Sequence, residues 1–131
     1  MSKFTEFLDK DGEKVSIYIN KVTAVWRDDD EPHGIINISP SIGVGSYSVN
    51  GSLDDLRRQV ESYGHHTIPF ARELARETGF FVAEMVTHYH QSGKQAVVCF
   101  KGGKLMTGNS YEDVKKSIDD ALCSIARENT R

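Results

Sequence analysis

The chain has 131 residues, 38% of them hydrophobic and 27% charged, with a formal net charge of −3. That length and balance fit one domain, residues 1–131, with a core that needs no disulfide or metal staple, and they exclude a disordered chain. A net negative chain without a basic stripe also argues against binding DNA or RNA through phosphate contacts.

Charge is uneven along the chain. Residues 1–64 carry seven Lys/Arg and eleven Asp/Glu, and residues 65–131 carry nine and eight. The acidic excess sits mainly in Asp28-Asp29-Asp30-Glu31.

Phe4 to Leu8 reads as a short strand, and Asp9-Lys10-Asp11-Gly12 as a hairpin turn. Val15, Ile17 and Ile19 alternate as a half-buried strand does, but Val22, Ala24 and Trp26 follow on the other parity. A strand's side chains have period two, so the chain must break or bulge near Asn20-Lys21. Residues 28–34 form a loop, Ile35 to Ile38 a strand, Pro40 to Gly45 a second loop, and Ser46 to Val49 another strand.

Ser52 caps a helix, with Asp54 and Asp55 in its positive first turn. Leu53, Leu56, Val60 and Tyr63 recur at helical spacing, and Gly64 stops the helix. A second helix is expected from about Ile68 to Thr78, with Pro69 in its first turn, Phe70, Ala71, Leu74 and Ala75 as its apolar stripe, and Gly79 as its stop. Phe80 to His90 reads as one strand, followed by turns at Ser92-Gly93 and Gly102-Gly103 that delimit Gln95 to Phe100 and Lys104 to Thr107. The last helix starts at Ser110 and runs to about Arg127.

That last helix exposes a repeat. Tyr111, Val114, Ile118 and Ala121 fall on Leu53, Leu56, Val60 and Tyr63 at a constant offset of 58, and Ser110 falls on Ser52. The expected fold is α+β: one or two antiparallel sheets of about six to seven strands with three helices, built from two similar strand–strand–capped-helix units. The sub-units are residues 1–64, and residues 65–131 with a helix, a three-stranded meander and a C-terminal helix.

Phe7-Leu8, Asp11-Gly12, Ile17, Ile19-Asn20, Val22, Val25, Ile36, Ile38, Tyr47, Val49 and Ser52 carry a resemblance over about residues 4–63. In these positions the first half resembles the small bacterial FlbD-type proteins linked to flagella and swarming. The resemblance implies a hairpin-rich unit followed by a helix, and it brings no catalytic residues. It departs at the loop 28–34, at the Pro40–Gly45 insertion, and in the presence of a second half.

Four groups of residues carry candidate chemistry. Asp28, Asp29, Asp30 and Glu31, with Trp26 beside them, can face a basic protein partner, although such a run also suits a solvated loop tip. Lys101-Gly102-Gly103-Lys104 can cradle a phosphate, with Arg27 as a further cation, but it lacks the helix and Lys-Ser/Thr of a P-loop and equally suits a hairpin with charged flanks. His88 and His90 project from one face of a strand, and Glu84 is expected on that same face, a set that can hold a metal or simply line the wetter side. His65-His66 lies in the linker between predicted helices. Cys99 and Cys123 form no ligand spacing and read as small buried hydrophobes.

No Ser/His/Asp set or paired carboxylates stand out. The expectation is therefore a non-catalytic binding or regulatory protein acting on another macromolecule, of the kind a phage or mobile element uses against a host complex. The alternatives are a small domain that sequesters a phosphorylated ligand or nucleotide, and a metal-dependent enzyme built on the His88/His90 strand. No cofactor is expected. The polar N-terminus and the lack of a membrane-length apolar run place the expected site of action in the cytoplasm, with a protein partner, no membrane contact, and edge strands able to pair in a homodimer.

Overall fold

The computed structural model describes residues 4–30, 34–40, 46–72 and 76–129. The first half runs β1 (Phe4–Leu8), β2 (Lys14–Tyr18), a 3₁₀ turn (Ile19–Lys21), β3 (Val22–Asp28), β4 (Ile35–Pro40), β5 (Tyr47–Asn50) and α1 (Leu53–Ser62). The second half repeats that order: β6 (Thr67–Arg72), β7 (Glu77–Val82), a 3₁₀ turn (Ala83–Met85), β8 (Val86–Ser92), β9 (Gln95–Phe100), β10 (Gly103–Met106) and α2 (Tyr111–Asn129). The fold is α+β and its strand pairs are antiparallel. Among the described residues, ten strands and two helices stand in place of the six to seven strands and three helices expected.

The helix expected over 68–78 is the point of departure. Residues 67–72 and 77–82 form a hairpin, β6 against β7. Ile68 and Phe70 are buried while Thr67, Pro69 and Ala71 are more exposed, which is period two and not 3.6. Leu74 and Ala75 of the expected stripe lie outside the described residues. Pro69 fits because β6 is an edge strand, where a residue without an N–H leaves no ladder bond unmade on the open side.

The single strand expected over 80–90 is also two strands, broken at the second 3₁₀ turn. That turn matches the parity break foreseen at Asn20-Lys21, which is the first 3₁₀ turn. Strands β8, β9 and β10 form the expected meander. Both helix caps form: Ser52 Oγ accepts from the Asp55 N–H (3.4 Å) and Ser110 Oγ from the Asp113 N–H (3.2 Å). Gly64 follows α1 at φ +87, the left-handed conformation that ends helices.

Among the described residues, hydrogen bonding defines three sheets: β1-β2, β5-β4-β3-β7-β6 and β10-β9-β8. The seam of the five-stranded sheet is β3–β7, the place where the two halves meet. Side chains alternate across this seam into two cores. Val25 and Phe80 join Ile17, Ile36, Ile38, Val49, Leu56 and Val60 in the first core. Ala24 and Phe81 join Phe70, Val98, Leu105, Val114 and Ile118 in the second. Each half thus lends strand residues to the other half's core, and each fully buried Phe adds roughly 1.5–3 kcal/mol.

Gly79 lies on the seam opposite Trp26. A Cβ there would come within 2.1 Å of the Val25 carbonyl oxygen, so glycine is required by close backbone approach, not as a helix stop. Cys99 is half-buried, and Cys123 is exposed on α2, not buried as expected. No helix among the described residues is long and apolar enough to cross a membrane.

Candidate functional site

The lysine turn of the second half comes to rest against the first half. Phe100 and Leu105 are buried in the second core and fix the roots of the β9–β10 hairpin. Between them Lys101 and Lys104 are exposed, and Gly102 takes φ +98. Facing this turn are Thr23, Ala24 and Trp26 of β3, Ser39 and Pro40 of β4, and Ser46. Together these residues line a cleft of about 260 Å³.

The Thr23 hydroxyl is already used, donating to the Ser39 carbonyl at 3.0 Å. The cleft therefore offers two ammonium groups, a glycine turn, the half-buried Trp26 indole and the Ser46 hydroxyl, while Ser39 Oγ is bonded to Thr23 Oγ1 at 3.2 Å. Arg27, grouped with the lysines from sequence, does not line the cleft. It follows Trp26 on the same strand and projects to the other face.

The acidic run is not an isolated patch. Asp28 ends β3 opposite Glu77, and Asp28 Oδ1 accepts from the Asp30 N–H (2.9 Å) to shape the turn. The Asp29 N–H donates to the Arg76 carbonyl (2.8 Å), and Arg76 pairs with Asp30 (3.2 Å). Arg72 pairs with Glu77. Asp29, Arg72, Arg76 and Glu77 share one shallow cleft, so the corner carries both signs of charge. Glu31 lies outside the described residues. Trp26, placed with this run from sequence, lines the lysine cleft instead.

The histidines separate into two groups. His88 and His90 are exposed on β8. Glu84 does not share their strand face: it sits in the second 3₁₀ turn and turns toward the linker between the halves. Glu84 Oε1 accepts from the His66 backbone N–H (2.7 Å), and Oε2 accepts from His66 Nδ1 (2.8 Å). His65 Nδ1 lies 3.7 Å from the same carboxylate, and His65 Nε2 donates to Asn20 Oδ1 (2.5 Å).

Asn20 and Glu84 are the central residues of the two 3₁₀ turns, so equivalent positions in both halves grip the His65-His66 linker. Sequence reasoning marked that linker only as polar. The signal that finds the arrangement is the equivalence of the two turns. A cleft of about 520 Å³ opens beside it, lined by Glu61, His65, His66, Pro69 and Ser117 among others. Among the described residues, no three His, Cys, Asp or Glu side chains are placed to hold a metal ion.

Compared with known proteins, the chain matches no protein-family model, no curated protein and no solved structure.

Proposed function

We propose that the protein is a non-catalytic binding protein that sequesters a phosphorylated small molecule with a planar ring, a nucleotide above all. The supporting observation is the convergence of Lys101, Gly102, Gly103 and Lys104 of one half on Trp26 of the other. The lysines and the glycine turn suit phosphate oxygens. The indole offers a face for a base to stack on, and Ser46 offers a hydroxyl to a sugar. A cleft of about 260 Å³ lies just below the range of about 300–1,000 Å³ usual for ligand sites, so it suits a mononucleotide held partly in solvent.

Among the described residues the lining holds no carboxylate, histidine or cysteine. Sequestering a signalling nucleotide would make the protein a regulator, and it gives a route by which a phage or mobile-element protein blocks a host complex in the cytoplasm. The FlbD-type resemblance of the first half adds no catalytic residue to this reading.

A thermal-shift and calorimetry screen against mono-, di- and cyclic nucleotides tests it. Ligand at 100 times its dissociation constant adds about 2.7 kcal/mol, which raises the melting temperature by several degrees. A flat response to the whole panel would overturn the proposal, as would a shift untouched by K101A/K104A.

A further inference from the structure

The two halves are equivalent residue by residue around the 3₁₀ turns. Ile19 and Ala83 begin those turns, an offset of 64 that carries β2 onto β7 and β3 onto β8. Val22-Thr23 falls on Val86-Thr87, and each pair of strands bulges there: the register shifts between Val22 and Ala24 and between Val86 and His88. The threonines make the same bond, Thr23 Oγ1 to Ser39 O (3.0 Å) and Thr87 Oγ1 to Cys99 O (3.1 Å).

The equivalence leaves two strand edges unmatched. In the seam β3 of the first half takes β7 of the second. The counterpart of β3 is β8, and the counterpart of β7 is β2. Among the described residues β8 pairs only with β9, and β2 only with β1. Had the halves been related by a two-fold axis, β8 would pair with β2 of its own chain. It does not, so the relation that joins the halves leads onward.

Exposure agrees. Val22, Thr23, Ala24 and Val25 of β3 are all buried, whereas on β8 Thr87 and His88 are exposed and Val86 and Tyr89 only half-buried. A long unpaired edge of this kind is a template for another strand.

We infer that copies of this chain join head to tail, β8 of one against β2 of the next, repeating the internal seam. Shifting the seam register by 64 sets Ile17 opposite His88, Ser16 opposite Tyr89, Val15 opposite His90 and Lys14 opposite Gln91, antiparallel. The parity is already right. In the seam Val25 belongs to its own half's core and Phe81 to its own. On the open edges Tyr89 packs against the second core and Ile17 lies within the first. Pairing therefore needs no strand to turn over, the usual obstacle to a new register. His88 and His90 stand where Ala24 and Trp26 stand in the seam, so they would lie over Ile17 and Val15 of the next copy. Head-to-tail contacts either close into rings or run on as filaments.

The test is oligomeric state by light scattering and native mass spectrometry across a concentration series, with two further arms. In a C123S background, chains carrying Lys14→Cys are mixed with chains carrying Gln91→Cys. Directly opposed strand residues lie about 4.5–5.5 Å apart at Cα, within disulfide reach, so a mixed disulfide between chains is expected. Separately, Gln91→Lys sets two lysines opposite each other and should weaken association about five-fold per contact, and adding Lys14→Glu should restore it. All three positions altered are exposed, so folding is preserved.

A particle that stays monomeric at every concentration overturns the inference. So does a disulfide between residues 14 and 91 within one chain of the double variant Lys14→Cys/Gln91→Cys, which would show closure within the monomer. An oligomer that neither cross-links at 14–91 nor responds to Gln91→Lys also overturns it, since another surface or another partner for β8 would then be responsible.

Discussion

Thr23 and Thr87 make the same hydrogen bond from the same bulge in opposite halves of the molecule, to Ser39 O at 3.0 Å and Cys99 O at 3.1 Å. Their surroundings differ. Thr23 is 2% exposed under the seam, while Thr87 faces outward on the open β8 edge. A carbonyl deprived of its partner beneath the buried Thr23 is less open to water than one on the exposed β8 edge. Thr23→Val should therefore lower stability by about 1–1.5 kcal/mol and Thr87→Val by roughly 0–0.5 kcal/mol, in dilute protein where chains are unassociated. Urea midpoints at unchanged slope are the measurement. Equal losses at the two sites would show that the bulge bond, and not its burial, sets the energy.

The seam has its own sensitive point. At Gly79 an added Cβ would meet the Val25 carbonyl at 2.1 Å and Trp26 Cα at 2.5 Å, all backbone or near-backbone atoms that cannot swing aside. Gly79→Ala should destabilise by about 3 kcal/mol, at the upper end for overpacking, because the strands must separate. Gly103 has nothing within 4 Å of the same added atom, and Gly103→Ala should stay within about 0.5 kcal/mol of wild type. Thermal and urea unfolding of the pair decide this. A mild Gly79→Ala would mean that the halves are not locked together at that point.

Much of the fold was legible from local chemistry. Strands β1 and β9 fall at the residues expected, both serine caps form, and the parity change at Asn20-Lys21 is a 3₁₀ turn. The failure lies at 68–78. There Phe70, Ala71, Leu74 and Ala75 imitate a helical stripe, and Pro69 imitates a helix start. The better guide was the repeat itself: Phe7 of β1 and Phe70 of β6 both pack into cores, with β1–β2 and β6–β7 as matching hairpins. Periodicity in a six-residue window cannot separate the two readings, whereas alignment of the halves can. The lysine cleft was half legible. Its turn was visible from glycine chemistry, but its pairing with Trp26 depends on the β3–β7 seam, a contact between residues about fifty positions apart in the chain.

Glu84 is the hinge pin of the histidine linker. Its carboxylate takes both the backbone and the ring N–H of His66. Glu84→Ala leaves those donors in a site only partly open to water, so stability should fall by about 1–3 kcal/mol. Exposed His88 and His90 carry no such bonds to a carboxylate, and H88A/H90A should stay within about 0.5 kcal/mol in dilute protein. Chemical denaturation of the two variants separates the groups. A greater loss from H88A/H90A would place the important histidines on β8.

Tyr89 supplies a pH signature. Burial, reinforced by the Asp119 carboxylate and the Tyr111 ring 5.4 Å away, holds its phenol above the ordinary value of 10.0, with Lys115 opposing and Glu112 adding to the rise. The native state then keeps a proton that the unfolded chain releases first. Above pH 10 the unfolded chain binds fewer protons than the native one, so stability should fall as pH rises from the unfolded value toward the folded one. Tyr89→Phe should remove part of that slope while leaving neutral-pH stability nearly unchanged. Denaturation midpoints measured on both sides of pH 10 give the comparison. An identical alkaline slope in the variant would assign the effect to other groups.

The lysine cleft makes the last prediction. Lys101 and Lys104 line one turn and Trp26 lines the same cleft, so on the proposed reading both ammoniums serve a single phosphate group. Loss of one charge-assisted hydrogen bond weakens binding by about 1.5–3 kcal/mol, roughly ten- to a hundred-fold in dissociation constant. Lys101→Ala and Lys104→Ala should each fall in that range for a nucleotide found by screening. The double variant should lose less than the product of the two, since the lysines share one anion. Trp26→Phe keeps an aromatic ring against the second core and should weaken a nucleotide while leaving inorganic phosphate unaffected. Lys94, exposed in the β8–β9 turn, is the control for non-specific attraction. Lys94→Ala should not change affinity beyond a small effect that vanishes at high salt. Calorimetric titrations of these variants, at two salt concentrations, resolve the roles. Equal weakening by Lys94→Ala and Lys101→Ala would reduce the cleft to general positive charge, and insensitivity to Trp26→Phe would remove the planar ring from the ligand.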